Sequence, residues 1–176
     1  MLKKTLLAFL LSCVIIFAVG CNSYSAYKDY YSNVEEYLEI WTLSGFYYGE
    51  TEMSPLFPSQ INELDVEDFF CRYDQQLLLG EGVQLFLKVQ YSDKPSFEDE
   101  VHRITSLAYS CKNEFSATEC EVYALRLGDN LTSEYCFIDT ITQSVCYVYL
   151  KNIPKSEIEI DHKFIPKNYT EYGKVG

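Results

Sequence analysis

The side chains that could do chemistry are few. His102 and His162 are the only imidazoles in 176 residues. His102 stands in Glu100-Val101-His102-Arg103, on what reads as the solvent side of a helix, and His162 stands in the tail. Each reads as a surface histidine, and nothing in the spacing brings either to a cysteine nucleophile. No G-x-S-x-G elbow, H-E-x-x-H pair, glycine-rich phosphate loop or EF-hand loop occurs. The acids offer another route. Asp65, Glu67 and Asp68 form one cluster, Glu98, Asp99 and Glu100 a second, and Glu157, Glu159 and Asp161 alternate along the tail. Hard carboxylate oxygens suit Ca²⁺, and two carboxyls about 5–10 Å apart suit glycosidic hydrolysis. With 26 Asp and Glu in the chain, such runs arise freely and read first as solvated faces and helix starts. The expectation is therefore no catalytic residue, no metal site and a protein that is not an enzyme.

Cysteine is the remaining reactive type. Of seven, Cys71, Cys111, Cys120, Cys136 and Cys146 fall in the body of the chain. They show neither C-x-x-C nor zinc-site spacing. Cys136 and Cys146 lie equidistant from Ile141, so a hairpin turning there would set them across a ladder, and Cys111 with Cys120 is a second candidate disulfide. Five is an odd number, and small buried hydrophobes are the other reading. The 16 tyrosines exceed what a core of this size requires. Tyr47, Tyr48 and Tyr109 fall in segments that read as loop or helix edge. They are candidate partner-binding residues, with ordinary strand or boundary tyrosines as the alternative.

Lys3 and Lys4 precede an uncharged run from Leu6 to Val19. As a helix it would be about 21 Å long, short of the about 30 Å hydrocarbon core of a bilayer. It reads as a secretory signal over residues 1–20. The run closes in Ala18-Val19-Gly20-Cys21, which resembles the lipobox of bacterial lipoproteins, although Ala18 stands where leucine is usual. The resemblance covers residues 1–21 alone. It implies that Cys21 carries a covalent diacylglycerol and begins the mature chain. The domain would then sit on the extracytoplasmic face of the cell membrane, with the acyl chains as a stable anchor. As a class, the chain resembles small uncharacterised lipoproteins of Gram-positive bacteria. Losing Lys3 and Lys4 with the signal takes the net charge from −12 to −14. Such acidity excludes a phosphate-neutralising surface, so no nucleic acid partner is expected.

The elements that must position these residues follow from periodicity. After a tether at 21–26, the steps Tyr27, Tyr30, Tyr31, Val34, Leu38 and Trp41 predict a helix over 27–41. Residues 64–78 alternate through Phe69, Cys71 and Tyr73, and Gly80-Glu81-Gly82 predicts a turn. Val83, Leu85, Leu87, Val89 and Tyr91 then alternate with Gln84, Phe86, Lys88 and Gln90, a strand with one apolar and one mostly polar face. Ser96 predicts the cap of a second helix that buries Phe97, Val101, Ile104 and Leu107 or Ala108. Strands follow at 120–127, ended by a turn at Gly128-Asp129-Asn130, and at 135–140 and 145–151. Ile158 and Ile160 suggest a short edge strand in a tail whose last ten residues fray.

The sum is one α+β domain over 27–176, its sheet-containing core at 64–160. A largely antiparallel sheet of about five strands carries one or two helices on one face, in the order α-β-β-α-β-β-β. Without a catalytic constellation, the acidic, Tyr-rich surface beside a membrane suggests a binding module, such as an inhibitor or immunity factor for a basic extracellular or envelope protein. The alternatives are an envelope-polymer hydrolase using paired carboxylates and an accessory subunit of a membrane complex.

Overall fold

The computed structural model describes residues 27–31, 54–59, 61, 65–76, 80–116, 119–129 and 131–169. The protein is mixed α+β, built on one antiparallel sheet. Its strands are β1 (Tyr27–Tyr31), β2 (Val66–Gln76), β3 (Gly80–Gln90), β4 (Tyr109–Ser110), β5 (Glu121–Asp129), β6 (Thr132–Asp139) and β7 (Ser144–Lys151). Among the described residues there is one helix, α1 (Lys94–Leu107), between β3 and β4. Across the sheet the order is β1-β2-β3-β7-β6-β5-β4, with β4 only two residues long. Hairpins make β2–β3, β5–β6 and β6–β7, and the two hairpin sets join where β3 pairs with β7.

Two strands revise the expected order. Residues 27–31 are a strand, not the start of a helix: Tyr27 pairs with Gln75 and Tyr31 with Cys71. The tyrosine steps fit a helical face, but tyrosine also favours strands, and the edge of β2 provides a ladder. Residues 32–41 lie outside the described residues. Gly80 and Gly82 are ladder residues opposite Gln76 and Asp74, so the turn expected at Gly80-Glu81-Gly82 is strand instead, and residues 77–79 lie outside the described residues. Gly128 likewise sits inside β5, in the left-handed region at φ 76, and the following turn is completed by Leu131 at φ 62.

Asp93, rather than Ser96, caps α1. Its carboxylate accepts from the Ser96 N–H at 2.9 Å and the Ser96 hydroxyl at 2.8 Å, and Pro95 occupies the first turn, where its missing N–H costs nothing. Phe97 and Ile104 are buried against the sheet, with Val101 and Ala108 packed beside them, while Leu107 turns outward. Full burial of each of the first two contributes about 1.5–3 kcal/mol.

Both faces of the sheet are covered. On the helix face, Cys71, Leu85, Leu87, Tyr147 and Ile138 form a core with Phe97, Ile104, Leu56 and Phe57. On the other, Phe86, Tyr135, Phe137 and Val148 lie under Phe115, Ile160, Ile165 and Tyr169. The covering element is the tail, and it is not an edge strand. Residues 153–169 form a strap of short 3-10 turns at Lys155–Glu157 and His162–Phe164, with one bridge between Phe115 and Pro166. Tyr169 is buried and its hydroxyl donates to the Ile153 carbonyl at 2.9 Å, so the start of the expected frayed end is fixed.

Candidate functional site

Most of the acids singled out in the sequence are engaged by neighbours. Glu67 pairs with Lys88, Glu98 with Lys94 at 3.3 Å, and Asp161 with Lys163 at 3.2 Å. Glu157 and Glu159 close on Arg72 at 2.8 and 2.7 Å. Arg72 is almost wholly buried in β2, on the strap side of the sheet, and also donates to the Glu157 carbonyl at 3.0 Å. Gln84, buried on β3 beside it, donates to that carbonyl at 2.8 Å and accepts from the Glu159 N–H at 2.9 Å. The supposedly polar face of β3 is therefore the floor beneath the strap.

A second polar cluster fastens the helix face. Glu100 of α1 takes a two-point contact from Arg103, Nε to Oε2 at 2.7 Å and Nη2 to Oε1 at 2.5 Å. The Tyr147 hydroxyl donates to the same Glu100 carboxylate and lies 3.3 Å from that of Tyr91. Burial, then the Tyr91 and Glu100 neighbours, raise the Tyr147 phenol well above its ordinary range. Arg103 also holds the Pro55 and Leu56 carbonyls, the latter at 2.6 Å, and Phe57 packs on Tyr147 with ring centroids 5.4 Å apart. The cluster thus pins residues 54–57 over the sheet as a plug.

The cysteines do not meet as expected. In the β6–β7 hairpin Cys136 pairs with Tyr147, and Cys146 with Phe137. Partners across a ladder share a face and neighbours alternate, so Cys136 and Cys146 point to opposite sides of the sheet and cannot bridge. None of Cys71, Cys111, Cys120, Cys136 and Cys146 is in a disulfide, so the Cys111–Cys120 bridge is likewise not formed. Burial pushes the Cys71, Cys111 and Cys146 thiols up to about 12, far from the thiolate range a nucleophile needs. Among the described residues, no three of His, Cys, Asp and Glu come together as a metal-holding group.

What remains open is surface. Tyr109 is 52% exposed and Leu107 42%. Leu107 ends α1 and Tyr109 opens β4, which pairs only with Tyr123 and Ala124 of β5. Beside them is a shallow groove of about 520 Å³ lined by Tyr109, Lys112, Asn113, Leu127 and Asn168. Cys21, Tyr47 and Tyr48 lie outside the described residues. His102 is exposed on α1 and His162 on the strap.

Sequence reasoning missed Ile141, the most exposed large apolar side chain described, at 84%. It crowns the β6–β7 turn. The Asp139 carboxylate accepts from the N–H groups of Ile141 at 2.8 Å and Thr142 at 3.2 Å. Gln143 adopts φ 53 and accepts from the Tyr91 N–H at 3.0 Å. The signal was present, since an isoleucine between two threonines at a turn is unusual for a position facing water. Cavities of about 340 and 290 Å³ lie on either side of this tip.

The sheet, its helix and its strap define a mixed α+β protein with an engaged polar interior and an open apolar periphery. No family of known proteins, no curated protein and no solved structure matches the chain.

Proposed function

We propose that this chain is a lipid-anchored extracytoplasmic binding module that holds a positively charged protein partner, as an inhibitor or immunity factor would. The observation that carries the reading is the contrast between its acids and its exposed apolar side chains. Carboxylates that could have formed a catalytic pair are spent on Lys88, Lys94, Arg103, Arg72 and Lys163. Leu107, Tyr109 and Ile141 stand outside, on a chain of net charge −12. Long-range attraction speeds encounter with a basic partner, and burial of a few apolar anchors supplies the short-range grip.

The lipobox-like Ala18-Val19-Gly20-Cys21 supports the anchor. Growing cells on an alkyne fatty acid tests it. The full chain becomes labelled and sediments with membranes, whereas Cys21→Ala is unlabelled and is released. A labelled Cys21→Ala chain, or an unlabelled wild type, overturns the anchor. Association with the partner weakens steeply between low and high salt; binding unchanged by salt removes the charge-driven reading.

A further inference from the structure

The polarity of β1 says which end of the domain the anchor would hold. Tyr27 pairs with Gln75, Gln75 with Glu81, and further along the sheet Lys151 lies opposite both Val83 and Thr132. Tyr27 thus enters at the end of the sheet that carries the β2–β3 and β5–β6 turns. Gln90, Ser144 and Asp139 mark the other end. From Glu81, level with Tyr27, to Gln90 the strand climbs about 30 Å at about 3.3 Å per residue. Six residues from Cys21 to Tyr27 reach at most about 21 Å. Inverting the domain on a bilayer would lift Tyr27 beyond that reach. The far end cannot be pressed against the membrane that holds Cys21.

That far end is where the open features gather. Ile141 stands at its tip, held by Asp139 rather than hanging on a loose loop. On the helix side of the tip a cavity of about 340 Å³ is lined by Phe97, Val101, His102, Thr140 and Gln143. On the strap side a cavity of about 290 Å³ is lined by Glu119, Cys120, Phe137, Thr142 and Lys163. A third, of about 160 Å³, lies by Tyr91, Asp93 and Asp65. The local charge is negative. Lys88, Lys94 and Lys163 are each in an ion pair, and Asp93, Asp99 and Glu119 add further carboxylates.

We propose that this end, centred on Ile141 and its two flanking cavities, is the docking surface for a basic extracytoplasmic protein that offers an apolar socket. The inference rests on the lipid-anchored reading and gives it a location. A second copy is the poorer occupant, because two chains of net charge −12 repel one another. A firmly held apolar tip loses little freedom on binding, which is what an anchor residue requires.

The test places a photo-crosslinking amino acid at position 141, and separately at Lys151 near the anchored end, in the full chain in its native cells. Position 141 should yield one discrete adduct, with a partner of net positive charge identified by mass spectrometry, and Lys151 should not. With that partner purified, Ile141→Asp should weaken binding by about tenfold or more while the melting curve is unchanged, since Ile141 buries little. No adduct at 141, equal adducts at both positions, or an adduct with a second copy or an acidic protein overturns the proposal. The fatty-acid label, read in the same cells, separates the two ideas. A labelled chain without the adduct refutes the docking surface alone, and an unlabelled chain refutes the anchor on which it rests.

Discussion

Arg72 in β2 and Glu159 in the strap are joined by a 2.7 Å ion pair across 87 positions of sequence. The guanidinium is nearly sealed from water, whereas the two carboxylates that face it are partly open. The asymmetry means that the arginine, not the acids, suffers if the clamp is broken.

The Glu157→Gln, Glu159→Gln double variant should therefore lose about 3 kcal/mol, because it takes two carboxylates away from a buried cation. Arg72→Met should lose less, since both carboxylates can turn to solvent. Denaturant unfolding of the two variants checks the order. A larger loss for Arg72→Met would show that the guanidinium is held mainly by its carbonyl contact.

Tyr147→Phe should cost about 1–3 kcal/mol, the penalty for taking a donor from a mostly buried carboxylate. Its ring still packs on Phe57, so the loss reports the hydroxyl alone. If the cluster pins the 54–57 plug, proteolysis at that segment should also accelerate. Unchanged cleavage there would mean that the plug is held by Leu56 and Phe57 without the network.

The thiols should differ in reactivity by burial. Cys120 is the one of the five that is not fully buried. Iodoacetamide at pH 8 should label it first, with Cys71, Cys111, Cys136 and Cys146 at least about tenfold slower in the native protein. Peptide mapping after timed alkylation gives the answer. Equal labelling of Cys146 and Cys120 would mean that the strap opens readily over its side of the sheet.

Asp139 should make the hairpin tip sensitive to acid. Burial alone would raise its carboxyl. The donors of Thr142 and Ile141, with the nearby Lys88, outweigh that and hold it below the ordinary range. A carboxyl depressed in the folded state adds stability above its unfolded value of about 3.9, and the gain disappears as pH falls through the lower folded value. The stability gap between wild type and Asp139→Asn should be present at pH 6 and shrink as the pH falls below about 3.9. A gap that stays the same size across that acid range would assign the effect to shape alone.

Local pattern carried far into the fold but stopped at its long-range contacts. The alternation of Val83, Leu85, Leu87 and Val89 marked β3, and Phe97 with Ile104 marked the buried stripe of α1, because each pattern lies within one element. The role of Gln84 was hidden. Its partners, Glu157 and Glu159, come from a strap with no regular period of its own. The two cysteines of the last hairpin show how little separates a correct turn from a wrong pairing. Ile141 is at the tip as expected, but Asp139 pairs with Ser144, one position from the register that would oppose Cys136 to Cys146. Tyr27 to Tyr31 misled for the opposite reason: a helical spacing was satisfied by a strand whose ladder partner lies far along the chain.

The strap has a consequence for the order in which the molecule can be finished. All seven described strands are complete by Lys151, yet Phe86, Tyr135, Phe137 and Val148, with Phe115 beside them, owe the rest of their shelter to residues made after it. Until residue 169 has emerged, a growing chain presents an incompletely covered apolar wall. A synthesis that stalls or is cut short a few residues early leaves that wall open, so the last stretch of the described chain acts as its protection against aggregation.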